Sequence, residues 1–292
     1  MATAAVDEHV RRTPAEPLRR HVAWYTGYRQ RGVPPTVHRG LPSPLLTVIF
    51  TLDEPMTMVA HPDPAQRPGD WATLIGGLHT SPALISHQGA QSGIQVGLKP
   101  LGARALLGLP AGELAQLDVP AEALLGRAGP RIHERLRAAG GWPARFAVLD
   151  EIFLTLLGTA GAAGTAGTAP EAAPEVAWAW RLLLRSGGTI AVAELAEATG
   201  WSTRHLSGRF RAEIGLTPKA AARVIRFDQA RGRISRLARA GHGLAGLAAD
   251  CGYFDQAHLA REFRALAGCP PSQWLAEEFR NVQAGAWLDG EG

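Results

Sequence analysis

The chain has 292 residues, 46% of them apolar and 19% charged, a balance suited to folded domains and long enough for two ordinary cores. No run of eighteen apolar residues occurs, so no membrane-spanning helix is expected; the opening "MATAAVDEHVRRTPAEP" carries acids and no apolar stretch, so no secretion signal is expected either. The formal net charge is +4, and it is unevenly placed. Residues 1–175 hold 15 basic and 15 acidic side chains, whereas residues 202–264 hold 12 basic against 5 acidic. A local excess of that size attracts a polyanion, or else marks a solvated helix surface.

Along the chain, short apolar or alternating runs come first. They are "LLTVIFTL" (45–52), "MTMVA" (56–60), "WATLIGG" (71–77), "ALISHQ" (83–88) and "GIQVGL" (93–98), punctuated by Pro and Gly as in an antiparallel sheet or small barrel. The period then changes, and 102–109, 131–139 and 144–158 read as helices. The N-terminal domain, 1–157, is therefore expected to be α+β. "GTAGAAGTAGTAPEAAPE" (158–175) is low-complexity sequence that builds no core and reads as a flexible linker. Beyond it every segment reads as helix: 175–186, 192–199, 203–213, 218–237, 244–250, 256–267 and 271–280. The all-α domain is placed at 176–285. Cys251 and Cys269 form no CxxC pair, so neither a disulfide framework nor a zinc site is expected, and the chain reads as cytoplasmic.

The helical part repeats itself. Leu195, Ala196, Gly200 and Trp201 match Leu247, Ala248, Gly252 and Tyr253 at an offset of 52. One residue is then inserted, and His205, Leu206, Phe210, Arg211, Gly215 and Pro218 match His258, Leu259, Phe263, Arg264, Gly268 and Pro271 at an offset of 53. This is an internal duplication. Each unit is a helix, a Gly-containing turn and a second helix. Gly200 and Gly252 fall where positive φ is needed, and Ser202 and Asp255 can cap the helix that follows. Leu206 with Phe210, and Leu259 with Phe263, share the inner face. The outer face carries Arg204, Ser207, Gly208 and Arg211 in one copy, and Ala257, Ala260, Arg261 and Arg264 in the other, with Gln256 and His258 near the helix start. In a DNA-binding helix-turn-helix the second helix enters the major groove, where arginine pairs with guanine and glutamine with adenine. Arg211, Arg264 and Lys219 are placed to meet phosphates.

The stretches "AELAEATGWSTRHLSGRFRAEIGLTPKAA" and "LAGLAADCGYFDQAHLAREFRALAGCPPSQW" resemble the double helix-turn-helix domain of AraC/XylS-type transcriptional regulators, over about residues 176–281. The resemblance implies that helix 218–237 joins the two units and that each recognition helix enters a successive major groove of double-stranded DNA. It implies contacts from Ser202, Thr203, Arg204, Ser207, Gly208, Arg209, Arg211 and Lys219, and from Gln256, Ala257, His258, Arg261 and Arg264. Gly208 departs from the pattern, because many relatives carry a long polar residue there; base readout in the first helix then rests on Arg204, with Arg209 as a partial substitute. "HRGLPSPLLTVIFTL", "IGGLHTSPALISHQGAQSGIQVGLKPLGARALLGLP" and "RFAVLDEIF" resemble the cupin-like sensory domain of one group of these regulators. That likeness implies a small-molecule effector or a homodimer, with RNA polymerase as a further partner if the protein activates, and a nucleoid-associated location.

His38, His61, His79 and His87 lie in the sheet region without HxH spacing or a carboxylate at ligand spacing, so surface or hydrogen-bonded histidine is expected and no metal or other cofactor. Trp24, Tyr25 and Tyr28 suit the core and rim of a helix, or the lining of an effector pocket. No GxSxG, GxGxxG or P-loop occurs, and no catalytic residue set stands out. The expected function is a sequence-specific DNA-binding regulator and not an enzyme. The alternative is a cupin-like metal-dependent enzyme fused to a DNA-binding module, which stoichiometric iron, zinc or nickel would favour.

Overall fold

The computed structural model describes residues 6–126, 128–162, 171–239 and 246–278. In chain order the strands are β1 (Val6–Arg12), β2 (Val22–Arg31), β3 (Thr36–Gly40), β4 (Leu46–Thr51), β5 (Met56–Ala60), β6 (Gly69–Trp71), β7 (Thr73–Gly76), β8 (Ala83–His87), β9 (Ala90–Leu98) and β10 (Asp118–Val119). They form two antiparallel sheets, of order β1-β2-β9-β4-β7-β10 and β3-β8-β5-β6. The continuous apolar run of β4 follows from burial on both faces. Val48 and Phe50 enter the large core beneath the helices, while Ile49 joins Met58, Leu74 and Ile85 between the sheets.

The helices of this part are α1 (Ala103–Leu107), α2 (Ala121–Leu125), α3 (Ala128–Ala138) and α4 (Trp142–Ala162). Phe146, Leu149 and Phe153 recur at helical spacing on α4 and lie buried against the six-stranded sheet. Tyr25 of β2 meets Phe146 and Phe153 at centroid distances of 6.0 and 6.3 Å, and its hydroxyl donates to Asp150 Oδ1 at 3.1 Å. Burial and the neighbouring Asp150 raise the Tyr25 pKa.

Two expectations are corrected here. β1, β2, β3 and β10 do not stand among the strands expected from the sequence, and Trp24, Tyr25 and Tyr28 lie on a strand rather than a helix. All three are buried, with Tyr25 on the face opposite the other two, as the two-residue period of a strand requires.

The C-terminal part is helical: α5 (Pro174–Arg185), α6 (Val192–Thr199), α7 (Thr203–Ile214), α8 (Pro218–Arg239), α9 (Leu247–Asp250), α10 (Gln256–Ala267) and α11 (Pro271–Glu278). The expected bounds of α6 and α10 agree with those observed. Of the expected linker, residues 158–162 continue α4, Pro174 opens α5, and 163–170 lie outside the described residues, as do 244–245 of the expected helix 244–250 and residues 279–285. The two parts share one apolar core running from Leu18 to Trp274. No helix among the described residues is long and apolar enough to cross a membrane.

Candidate nucleic-acid interface

The duplicated units have the same local construction. Gly200 ends α6 at φ 69°, and Gly252 ends the α9 turn at φ 72°, a region that L side chains seldom occupy. Ser202 Oγ accepts the His205 amide at 3.2 Å, and Asp255 Oδ1 accepts the His258 amide at 2.6 Å, so the second helix of each unit, α7 or α10, starts on a side-chain cap. An aromatic residue before each cap meets the histidine three residues after it. Trp201 and His205 lie 4.6 Å apart at 80°, and Tyr253 and His258 lie 5.3 Å apart at 89°. Leu195, Leu206 and Phe210 are fully buried in the first unit; Leu247, Leu259 and Phe263 occupy the same places in the second.

The inner faces therefore determine what the outer faces present. Ser202, Thr203, Arg204, Gly208, Arg209, Arg211 and Lys219 are exposed around α7, with Ser207 half-buried. Gln256, Ala257, Arg261 and Arg264 are exposed on α10. His258 is half-buried and turned back on its own turn, where Nδ1 accepts the Phe254 amide at 3.3 Å. Its ring thus braces the turn, a role that the outer-face pattern did not show.

Nor does the whole basic excess face outward. Arg223 on α8 donates through Nε and Nη2 to the Glu262 carboxylate of α10 at 2.7 and 3.1 Å. Arg226 donates to the Gly188 carbonyl, Arg231 pairs with Asp228, and Arg233 donates to the Asp250 carbonyl. Arg223, Arg226 and Arg233 thus join α8 to its surroundings, while the Arg231–Asp228 pair lies within the helix. Among the described residues of 202–264, the exposed cations are the arginines of α7 and α10 and Lys219 at the start of α8.

The N-terminal part touches both units. Arg104 of α1 makes a two-point bond to Glu213 at the end of α7, with Nε–Oε1 and Nη2–Oε2 both 2.8 Å. Beside it a 3-10 turn, Ala111–Leu114, packs so closely that a Cβ on Gly112 would strike the Ala212 carbonyl. On the other side Arg39 pairs with Glu277 of α11. Neither pair was expected from the sequence, because partners 109 and 238 residues apart leave no local pattern.

Between the two sheets and the helical part lies a cavity of about 60 Å³. Ile49, Met58 and Ile85 line its apolar wall, Asp118 and His79 one polar region, and Arg39 and Arg231 another. His61 Nδ1 lies 2.7 Å from Asp118 Oδ2, so the fold does bring a carboxylate to one of the four histidines. Burial raises the Asp118 pKa, opposed by its bond to His61, and burial lowers those of His79 and His87. His38, His61 and His87 are buried and His79 is half-buried: His38 and His87 face each other at 6.1 Å, and His79 Nδ1 donates to the Ser81 carbonyl at 2.6 Å, so His61 and His79 are hydrogen-bonded as expected. Among the described residues no group of three or more His, Cys, Asp or Glu side chains could hold a metal.

Residues 195–277 match a family described as a helix-turn-helix domain, and residues 10–120 match a domain of unknown function, DUF6597. No curated protein shows significant similarity to the chain. Among solved structures, an apo variant of ToxT from Vibrio cholerae strain SCE256 is similar at a TM-score of 0.53 and 9% identity, over 87% of this chain and 97% of that one. ToxT from Vibrio cholerae O395 is similar at 0.50 and 11%, over 87% and 96%. Wild-type ToxT from strain SCE256 bound to an unsaturated fatty acid is similar at 0.50 and 9%, over 91% and 97%. At these identities the likeness is one of fold, and it extends over both parts of the chain.

Proposed function

We infer, from a chain whose C-terminal part is an AraC-type helix-turn-helix domain within a ToxT-like two-domain architecture, that this transcription regulator reads DNA with α7 and α10 in successive major grooves. The matched family is one of regulators and not of enzymes. The observation that carries the reading is the repeated unit itself. Two turns with the same cap, aromatic–histidine contact and buried pair each leave a polar, cationic helix face uncovered. Arg204, Gln256 and Arg261 are assigned to bases, with Arg209 as a partial substitute in α7, and Arg211, Lys219 and Arg264 to phosphates. Ser202, Thr203, Ser207, Gly208 and Ala257 complete the contact surface, while His258, turned onto its own turn, supports it. The division of the chain is taken as 1–157, 158–175 and 176–285.

The test is selection of duplexes by the full chain from a random pool, followed by titration of the enriched duplex and a scrambled one at several salt concentrations. Affinity for both should fall steeply with salt, by about 10³-fold or more between 50 and 200 mM if six or more phosphates are engaged. Failure to enrich any sequence would sink the reading.

The N-terminal part is assigned to an effector, held in the cavity that Arg231 and Trp274 close from the helical side. A solved ToxT holds an unsaturated fatty acid. Here the cavity is only about 60 Å³, which suits a small organic acid rather than a long acyl chain. Its carboxylate would join the ion pairs of Arg39 with Glu277 and Arg231 with Asp228, and so couple occupancy to the placement of α8 and α11. A panel of short carboxylic acids should contain one that raises the melting temperature of the wild type but not of Arg231→Met. No stabilisation by any of them would refute the assignment.

A further inference from the structure

The residue inserted between the two copies can be identified. In the first copy the aromatic Trp201 is followed directly by the cap Ser202; in the second, Phe254 stands between Tyr253 and the cap Asp255. Everything around it is conserved between the copies in geometry: the positive-φ glycine, the aromatic–histidine contact and the capped amide. The extra backbone amide is absorbed by His258 Nδ1. The extra side chain is not absorbed at all. Phe254 is 93% exposed, whereas no other large apolar residue described exceeds 50%. A residue just before an N-cap often packs on the fourth helical residue, here Leu259, but Leu259 is 1% exposed within the core and Phe254 stands away from it.

An aromatic ring held in water next to a recognition helix has an apolar partner to find. The position specifies which. Phe254 precedes the first turn of α10, the part of such a helix that reaches base edges, and the exposed Ala257 follows one turn later. The major groove offers one apolar feature to a protein, the C5-methyl group of thymine. We propose that Phe254 is a specificity-determining residue, its ring meeting a thymine methyl group beside the bases read by Gln256 and Arg261. This rests on the DNA-reading role of α10 proposed above.

The test uses the full chain and the duplex it selects. Wild type, Phe254→Ser and Phe254→Leu are titrated against that duplex, against versions with each thymine of the second half-site replaced in turn by deoxyuridine, and against a scrambled duplex. Removing the methyl group at one position should weaken wild type about 4-fold, the worth of one buried methyl-sized group. Phe254→Ser should bind the thymine duplex about as weakly as wild type binds the deoxyuridine one, and should be indifferent to the replacement. Phe254→Leu should keep part of the preference. Because the ring is exposed, melting temperatures should agree across the three proteins.

Equal binding of Phe254→Ser and wild type to the selected duplex would overturn the proposal and leave the ring to a protein partner. A loss in Phe254→Ser that is the same on thymine, deoxyuridine and scrambled duplexes would also overturn it, in favour of a sugar–phosphate contact. If wild type selects no duplex, the DNA-reading assignment fails first and this one falls with it.

Discussion

Phe263→Ala should cost about 3–5 kcal/mol of stability and abolish DNA binding at physiological temperature. The ring is fully buried where three helices of the second unit meet. It lies 4.9 Å from Phe227 of α8 at 60°, and 5.6 Å from Trp274 of α11. Its removal opens a cavity that the backbone cannot close, because Arg223 and Glu262 fix α8 to α10 beside it. The transferred area and the lost ring contacts add to the same penalty. Phe263→Leu keeps most of the volume and should cost much less, about 1–1.5 kcal/mol. Chemical denaturation gives the measurement. A loss below about 1 kcal/mol for the alanine variant would mean that Phe263 does not organise this unit.

The parts that could be read from the sequence are those where local chemistry decides the structure. The bounds of α6 and α10 follow from apolar spacing, from Gly200 and Gly268 as terminators, and from Asp255 as a cap; each is settled within a few residues of itself. β4, β5, β8 and β9 show as apolar or alternating runs because their environment is apolar on at least one face. β2 fails this test. It buries Thr26 and Gln30 along with its aromatics, so its inward face carries no uniform apolar signal, and Trp24, Tyr25 and Tyr28 fit a helical spacing equally well. β1 is an edge strand of mixed charge, "VDEHVRR", paired only along β2.

The contacts that couple the two parts of the chain were illegible for a different reason. Nothing near Arg104 marks it for Glu213, or near Arg39 for Glu277; both pairs exist only once the chain is folded. The same holds for the basic excess. Counting charge over residues 202–264 could not separate Arg223, Arg226 and Arg233, which tie α8 to its neighbours, or Arg231, paired within α8, from the arginines that face outward. Phe254 was legible as an inserted residue but not as an exposed one, since an aromatic before an N-cap ordinarily packs inward.

Arg261→Ala should weaken binding to the selected duplex by about 1–3 kcal/mol and relax its preference at one or two base pairs. The reason lies in how the copies differ. At the offset of 53, Arg204 corresponds to Ala257 and Gly208 to Arg261. Each of these helices thus carries one arginine assigned to bases, but one turn apart: near the start of α7 and in the second turn of α10. The two half-sites should then place their arginine-read guanines at different depths along the groove, so the operator should not be a simple direct repeat. Arg211 and Arg264 correspond to each other and are both exposed near the ends of their helices, as phosphate contacts common to both copies would be. Arg264→Ala should accordingly weaken selected and scrambled duplexes by similar factors and lower the salt dependence by about one phosphate's share. Gly208→Ala has open space around the added methyl group and should stabilise α7 by about 0.5–1 kcal/mol with little change in preference. The three variants are compared by titration of the selected duplex and its scrambled counterpart at one salt concentration. If Arg261→Ala keeps the wild-type ratio between those two, base readout does not reside at that position of α10.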